Sequence, residues 1–399
     1  MSVYLDHAAN TPMHPGAAAA MTAQLGRVGN ASSLHASGRD ARRVVEESRE
    51  TIARALGCRP GEVVFTSGGT EADNLAVKGL YWSRHAEDPR RRRVISTAIE
   101  HHAVLDPLHW LAREEDAEVV LVAVDRTGRL DLEAFRAAVE LDPAAVALVT
   151  VMWANNEVGT VQPLADVVEI AHAHGIPVHT DAVQAVGQLP VDFAASDVDA
   201  MTVTGHKLGG PYGVGALVVR REVQLAALLH GGGQERDVRS GTLDTPAIAG
   251  FAAACEEAVK LRTELADRLA GLADELAAGV LEAVPDAVRN GDPEAGPDHR
   301  LPGIVHLTFP GCEGDSLLML LDARGIECST GSACNAGVPQ ASHVLLAMGS
   351  DEELARASLR FSLGHTSTAA DVAAVVEAIG PVVERARAAG LTSQAGRAS

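Results

Sequence analysis

The segment from His179 to Lys207 contains residue types that could bind a charged heteroaromatic ring and form a covalent bond to it. Asp181 ends an apolar run, Gln184 follows three residues later, and Lys207 lies in a turn with glycine and histidine. A lysine amine forms an imine with an aldehyde. A buried carboxylate that faces a pyridine nitrogen keeps it protonated, so the ring becomes an electron sink. We therefore predict an aldehyde cofactor, with Gln184 donating to its phenolic oxygen.

Each of these residues also has an ordinary structural interpretation. Lys207 could be a surface lysine in a loop, Asp181 could cap a helix, and Gln184 could lie on a helix surface. His179 and Asp181 are two positions apart and would share a face of a strand, so they could bind a metal ion. No further cluster of ligands is evident in the sequence, and the metal interpretation is therefore the weaker one.

A glycine-containing stretch, residues 67–71, follows the predicted strand Val63–Thr66 and precedes a predicted helix. The free N–H groups at the start of such a helix favour an anion, and a phosphate fits there. Gly69 and Thr70 are the candidate ligands, and Thr204 and His206 could add donors to the same phosphate. An ordinary strand–helix turn is the alternative.

Two polar groups follow other predicted strands. His101 follows Glu100, and its imidazole could stack on an aromatic ring or relay protons. Asn156 lies within Asn155-Asn156-Glu157 and could bond to a cofactor hydroxyl or a substrate carboxylate. The alternatives are a structural histidine and an Asx turn.

The C-terminal third holds two further candidates. Small polar residues surround Cys334 on both sides, so we expect a mobile, exposed loop whose thiol is a nucleophile. Arg360 is a charge within a strand-like segment, where a guanidinium could bind a substrate carboxylate in bidentate fashion. An internal ion pair is the equally weighted alternative for Arg360.

The elements that must position these residues form an alternating pattern of strands and helices. We expect a mainly parallel sheet with helices on both faces, in which ligands bind at the carboxyl ends of the strands. The predicted strands are Val63–Thr66, Val94–Thr97, Val119–Val124, Val146–Met152, Pro177–Asp181, Ala200–Thr204 and Gly215–Val219. A long helix over Pro246–Leu281 and a loop over Pro285–Pro302 lead into a second α/β unit.

Composition limits the classes of function. The formal charge of −20 argues against direct binding of nucleic acid, because phosphate contacts need clustered Lys and Arg. The five cysteines form no CxxC pair and indicate reduced thiols in a cytoplasm. We predict neither a secretory signal nor a membrane span.

The motifs together resemble the pyridoxal-phosphate-dependent cysteine desulfurases of the NifS/IscS type, within the class V aminotransferase-like group. The resemblance runs from about Tyr4 to about Gly364, and its loop around Cys334 is similar to the long-loop IscS branch. The motifs, in the family's order, are residues 4–9, 66–71, 100–101, 155–159, 181–184, 205–207, 231–235, 239–242 and the Cys334 loop.

The resemblance implies the type I fold of pyridoxal-phosphate enzymes, with a mainly parallel seven-stranded sheet in a large domain and a smaller α/β domain. We place an N-terminal segment that packs with the small domain at 1–15, the large domain at 16–255, the small domain at 256–388 and a disordered tail at 389–399.

The resemblance also implies a role for each site residue. Lys207 would bind pyridoxal 5′-phosphate, and Asp181, Gln184 and His101 would contact its ring. The phosphate would be held by Gly69, Thr70, Thr204 and His206, with Thr242 reaching in from the second subunit of a homodimer. Asn156, Arg360 and Asn30 would hold the carboxylate of L-cysteine, and Cys334 would carry the persulfide.

The implied reaction converts L-cysteine to L-alanine, and His101 is a candidate acid and base. The sulfur would pass to an acceptor protein, either an iron–sulfur scaffold or a thiolation enzyme, and Cys334 could serve as a transient iron–sulfur ligand shared with a scaffold. No intrinsic metal is expected. Two alternatives stay open at this point: a sibling enzyme such as a selenocysteine lyase or an aminotransferase, and a non-catalytic sulfur-relay scaffold.

Overall fold

The computed structural model describes residues 2–331 and 341–397. The strands in chain order are β1 (Val3–Tyr4), β2 (Val63–Thr66), β3 (Arg93–Thr97), β4 (Glu118–Val122), β5 (Val146–Thr150), β6 (Val178–Asp181), β7 (Ala200–Thr204), β8 (Gly215–Val219), β9 (Val288–Asn290), β10 (Ile304–Thr308), β11 (Ile326–Glu327) and β12 (Ser358–Ser362). The α-helices are α1 (Pro15–Leu25), α2 (Ala36–Ala55), α3 (Gly69–Glu87), α4 (His102–Glu114), α5 (Leu132–Glu140), α6 (Leu164–His172), α7 (Phe193–Ser196), α8 (Thr245–Ala283), α9 (Gly314–Asp322), α10 (His343–Ala347), α11 (Glu352–Arg356) and α12 (Ala369–Arg397).

The largest sheet has seven strands in the order β2-β8-β7-β6-β5-β3-β4. All its pairings are parallel except those of β8, which runs antiparallel to both β2 and β7. Every residue of β2, β5, β7 and β8 is buried, because helices cover both faces of the sheet. The prediction of a mainly parallel seven-stranded sheet is confirmed.

A second, smaller core lies around the three-stranded antiparallel sheet β12-β10-β9 and the parallel pair β1-β11. Leu5, next to β1, is fully buried in this core although it lies near the start of the chain. The N-terminal segment therefore packs against elements that come more than 300 positions later.

The prediction of a loop over 285–302 is wrong at β9, whose residues pair with β10. This strand has three residues, and Val288 is half exposed. So short a segment, flanked by proline, glycine and aspartate, carries little apolar pattern of its own. Its conformation comes from the ladder with β10, which is a tertiary interaction.

The long helix α8 joins the two cores. Its first turn is capped by Asp244, whose carboxylate accepts a hydrogen bond from the amide of Ala247 at 3.0 Å. Buried residues of its first half, such as Phe251, belong to the large core, and those of its second half, such as Leu276, belong to the small one. In the parts of the chain that the structure describes, no helix is long and apolar enough to cross a membrane.

Candidate active site

A cavity of about 350 Å³ lies at the carboxyl ends of β6 and β7 and reaches across to β12. This position agrees with the rule for ligand sites in parallel sheets. The structure brings most of the predicted site residues to its wall: Gly69, Thr70, His101, Asn156, Asp181, Gln184, Thr204, His206, Lys207 and Arg360.

Lys207 lies in the turn after β7, and its ammonium group is held by backbone carbonyls of the N-terminal segment. Its Nζ donates to the carbonyl oxygens of Ala8 and Ala9, the latter at 2.7 Å. Burial, and next the positive charge of Arg360, lower the pKa of Lys207 to about 8. Roughly a tenth of this amine is thus uncharged at pH 7, far more than for an ordinary lysine, and the uncharged form is the one that attacks an aldehyde.

Asp181 ends β6 and is buried in the wall of the same cavity. Its Oδ1 accepts a hydrogen bond from the amide of Val183 at 2.8 Å. Burial raises its pKa to about 6, and the hydrogen bond from Val183 and the charge of Lys207 oppose this shift. A cationic ring nitrogen would complete the set of partners that keep Asp181 ionised.

Two further buried acids, Asp73 and Glu100, lie near Asp181. Neither was predicted from the sequence to have a role in the site. Asp73 lines the cavity from α3. Glu100 accepts hydrogen bonds from the Thr97 hydroxyl and the Met152 amide, yet burial raises its pKa to about 8. The signal for Asp73 was available, because it comes four residues after Gly69 and so shares a face of α3 with it.

Two of the histidines that line the cavity, His101 and His206, are neutral at pH 7. His101 caps α4 by accepting a hydrogen bond from the Ala103 amide at 3.1 Å. Its ring is exposed at the cavity, and desolvation by the surrounding protein and the charge of Lys207 lower its pKa to about 4. Burial and Lys207 likewise lower the pKa of His206 to about 4, and its Nδ1 contacts Asn10 Oδ1 at 3.1 Å. A neutral imidazole can stack on an aromatic ring without charge repulsion.

An anion cradle lies at the start of α3. Gly68 has φ 152°, in the region that favours glycine. A Cβ on Gly69 would lie only 3.1 Å from Val183 Cγ2, so the backbone approaches its neighbour closely there. Glu71 in the first turn accepts from the Ser67 amide at 2.7 Å. The helix N-terminus offers amides to a phosphate, with Thr70 beside them on the cavity wall.

The opposite end of the cavity holds Arg360 on β12. One of its terminal nitrogens, Nη2, pairs with Asp6 at 2.8 Å, and Nη1 donates to the backbone oxygen of Asn156 at 2.9 Å. Its Nε is buried without a hydrogen-bond partner among the described residues. Gln184 is buried nearby, and its amide donates to the Ala8 carbonyl at 2.8 Å. The internal ion pair that was the alternative interpretation of Arg360 is therefore present, and the Nε of Arg360 remains without a hydrogen-bond partner in the described part of the chain.

Two predicted residues are not brought to this cavity, and a third is not among the described residues. Asn30 and Thr242 are exposed in loops and are not part of its lining within one chain. Cys334 lies outside the described residues, three positions after Gly331, which does line the cavity. His179 faces the Thr150 and Thr202 hydroxyls at 2.9 and 3.0 Å. Within residues 2–331 and 341–397, no group of three or more His, Cys, Asp and Glu could hold a metal ion.

These residues fit pyridoxal phosphate at each of its functional groups. The cradle at α3 suits the phosphate, Asp181 the ring nitrogen, His101 the ring face and Lys207 the aldehyde. Arg360 lines the same cavity, and its Nε is a buried donor without a partner among the described residues, so a guanidinium here would match a carboxylate.

The sequence comparisons agree with this chemistry. The family model for aminotransferase class-V matches residues 3–375. An IscS-like cysteine desulfurase of Mycobacterium tuberculosis is 57% identical over 390 residues, which is 98% of this chain and 98% of the relative. The chain belongs to the class-V aminotransferase family, in its cysteine desulfurase branch.

Other cysteine desulfurases extend the agreement. Cysteine desulfurase IscS of Methanosarcina thermophila is 40% identical and covers 97% of this chain and 93% of its own length. A solved NifS-like protein superposes with a TM-score of 0.88 at 34% identity, over 96% of this chain and all of its own. The predicted family, fold type and enzyme class are confirmed, and pyridoxal-phosphate dependence is a property of that family.

Proposed function

We propose that this cysteine desulfurase binds pyridoxal phosphate through Lys207, removes the sulfur of L-cysteine and leaves it as a persulfide on Cys334. One observation carries the proposal: a single cavity combines an amine of lowered pKa, a buried carboxylate and a helix N-terminus. When bound, the cofactor supplies an electron sink for the bond broken at Cα. The net reaction converts L-cysteine and the Cys334 thiol into L-alanine and the persulfide.

The atoms and electrons balance without an external oxidant. The Cβ–S bond of the substrate breaks, an S–S bond forms on Cys334, and the protons of the two thiols remain on alanine and on the persulfide. The carbon is reduced as the sulfur is oxidised. We assign the proton at Cα to the free amine of Lys207, whose pKa of about 8 suits a base at neutral pH.

We assign the substrate carboxylate to Arg360 and Asn156. The Nε of Arg360 is the donor without a partner, and Asn156 lies on the cavity wall beside it. Asp6 holds the guanidinium in place through its 2.8 Å ion pair. A charge-assisted hydrogen bond of this kind is stronger than a neutral one and orients the amino acid.

We propose a homodimer in which Thr242 completes the phosphate site of the second subunit. Thr242 is exposed and does not line the cavity of its own chain. The segment around Asn30 exposes Val28 at 87% and Leu34 at 83%. Apolar side chains so exposed and so close in sequence are typical of an interface, and a second copy of the chain is the occupant that we propose.

We further propose that an acceptor protein, either an iron–sulfur scaffold or a thiolation enzyme, takes the sulfur from Cys334. We place the protein in the cytoplasm, where thiols stay reduced. The four described cysteines, Cys58, Cys255, Cys312 and Cys328, support this location because all are free thiols.

The proposal is tested with the purified protein and L-cysteine. We expect visible absorbance from bound pyridoxal phosphate and formation of alanine. Lys207→Ala should lower alanine formation at least ~100-fold, as loss of a general base does. Cys334→Ser should bind cysteine but form no persulfide and no alanine in repeated turnover. Cys58→Ser is the matched control and should keep wild-type rates.

Two outcomes would contradict the proposal. Full turnover by Cys334→Ser would place the nucleophile elsewhere and would favour a sibling enzyme that needs no such thiol. A protein without visible absorbance that releases no alanine would favour the non-catalytic alternative.

A further inference from the structure

Asp73 is a second buried carboxyl at the end of the cavity where Asp181 lies. It is on α3, one turn after the start of the anion cradle, and it is only 1% exposed. Its Oδ1 has no hydrogen-bond partner in the described part of the chain. A buried polar atom of this kind needs a physical explanation, because leaving it unpaired is costly.

The neighbours of Asp73 are the strands that carry Asp181. Its Oδ1 is 3.6 Å from Nε2 of His179, which shares a face of β6 with Asp181. Thr202 on β7 is registered with Asp181, and its hydroxyl is 3.0 Å from the same His179 nitrogen. The two carboxyls therefore approach one small polar patch from α3 and from β6.

Among the residues that the structure describes, no cation compensates the charge of Asp73. Burial lowers the pKa of His179 to about 3, so this imidazole is neutral and cannot act as a counter-ion. The charge of Glu100, the third acid nearby, also raises the pKa of Asp73. Burial first, and the Asp181 carboxylate second, raise the pKa of Asp73 well above its usual range, and the Thr202 hydroxyl only partly opposes them.

Two buried carboxyls that repel each other in this way cannot both ionise at moderate cost. The one that gains a cationic partner will carry the charge, and the other will keep its proton. Asp181 is near Lys207 and accepts the Val183 amide, whereas Asp73 has no comparable donor to its Oδ1.

We propose that Asp73 is a positioning residue that keeps its proton, so that the single negative charge of the pair resides on Asp181 and faces the cofactor's ring nitrogen. The part that concerns the ring nitrogen rests on the proposed function. Asp73 would thus act through Asp181, without touching the substrate.

The first test needs no cofactor. Thermal unfolding of the cofactor-free protein is measured from pH 5 to pH 8 for wild type and Asp73→Asn. A carboxyl whose folded pKa is raised binds its proton more tightly when folded, so the stability linked to it falls as pH rises. The Tm advantage of Asp73→Asn over wild type should therefore grow by roughly 3 °C or more across this range.

Two further variants make the result interpretable. Asp166→Asn, at an exposed aspartate on α6, is the matched control and should show no growing advantage. Asp73→Ser replaces the carboxyl by a smaller neutral group, and its Tm advantage over wild type should grow with pH in the same way. A Tm difference that is independent of pH, or loss of the fold in both Asp73 variants, would show a merely structural role and overturn the proposal.

The second test is a double-mutant cycle on pyridoxal-phosphate affinity, measured by quenching of the protein's fluorescence. Asp73→Asn alone should change the Kd less than about threefold, since an amide resembles a protonated acid. In an Asp181→Asn background Asp73 loses its repulsive neighbour and can ionise, so the same change should weaken binding more. Equal effects in both backgrounds would overturn the assignment. Failure of wild type to bind the cofactor would contradict the proposed function. The pH trend of the cofactor-free protein would still show whether Asp73 keeps its proton in the folded state.

Discussion

At the scale of single residues, burial shifts the pKa of the lysine and the pKa values of the acids in this site in opposite directions. Desolvation lowers the pKa of Lys207 to about 8 and raises that of Asp181 to about 6. Each shift brings the group close to physiological pH, where small changes in its surroundings decide whether it is charged. The positive charge of Arg360 contributes to the lowered pKa of Lys207, so we expect Arg360 to act on the amine as well as on the substrate.

Replacing Arg360 should therefore have two separable effects. In Arg360→Gln the pKa of Lys207 should rise above about 8, because a nearby positive charge is lost and Asp6 is released. The free amine reacts with the cofactor, so the rate of reconstitution rises with pH through this pKa. We expect its midpoint to move to higher pH in Arg360→Gln. The KM for cysteine should rise roughly tenfold or more, as loss of a charged hydrogen bond implies.

Arg360→Lys separates charge from geometry. It keeps the positive charge and should leave the midpoint of reconstitution near that of wild type, but it lacks the guanidinium fork and should still raise KM. Stopped-flow reconstitution at several pH values and steady-state kinetics measure the two effects. An unchanged midpoint in Arg360→Gln would refute the electrostatic link to Lys207.

At the scale of elements, the start of α3 is the part of the fold with the strictest backbone requirement. Gly68 has φ 152° and precedes the first helical residue. Gly68→Ala should cost about 1–3 kcal/mol, because a Cβ is strained in this region. It should also weaken binding of pyridoxal phosphate, since the cradle's amides would shift. Thermal unfolding and fluorescence titration measure these losses.

Gly271 provides the matched control. It lies in the exposed middle of α8, and a Cβ there would meet no atom within 4 Å. Gly271→Ala should stabilise the protein by about 0.5–1 kcal/mol and leave cofactor binding unchanged. Equal behaviour of the two alanine variants would show that the turn at Gly68 tolerates a side chain.

Strong local patterns made most elements predictable from the sequence. The predicted bounds of β2, β7 and β8 matched to the residue, and the helix predicted over Pro246–Leu281 lies within α8. The strand β9 was missed because only its pairing with β10 makes it a strand. Asp73 was missed although it shares a face of α3 with Gly69, because its spacing alone does not indicate that it is buried against β6.

At the scale of the whole molecule, the homodimer that we propose would complete the site of each chain. It would explain together the exposure of Val28 and Leu34 and the position of Thr242 outside the cavity of its own chain. Val28→Asp combined with Leu34→Asp should yield a monomer, because charge at the centre of an interface is strongly unfavourable. Light scattering after size exclusion measures the mass, and pyridoxal-phosphate affinity should fall as the partner's contribution is lost.

Met319→Asp is the control for surface charge. Met319 is similarly exposed, at 71%, on α9 of the smaller unit, and this variant should keep the mass and cofactor affinity of wild type. A double variant that retained the dimeric mass would show that the interface lies elsewhere.

The N-terminal segment has a consequence for how the enzyme is made. Leu5 donates its amide to Glu327, Asp6 pairs with Arg360, and the carbonyls of Ala8 and Ala9 hold Lys207. Leu5 and Asp6 thus lack these partners until more than 300 further residues have been synthesised. The wall around Lys207 is therefore completed only after β12 has been synthesised, and we expect cofactor binding to follow that point.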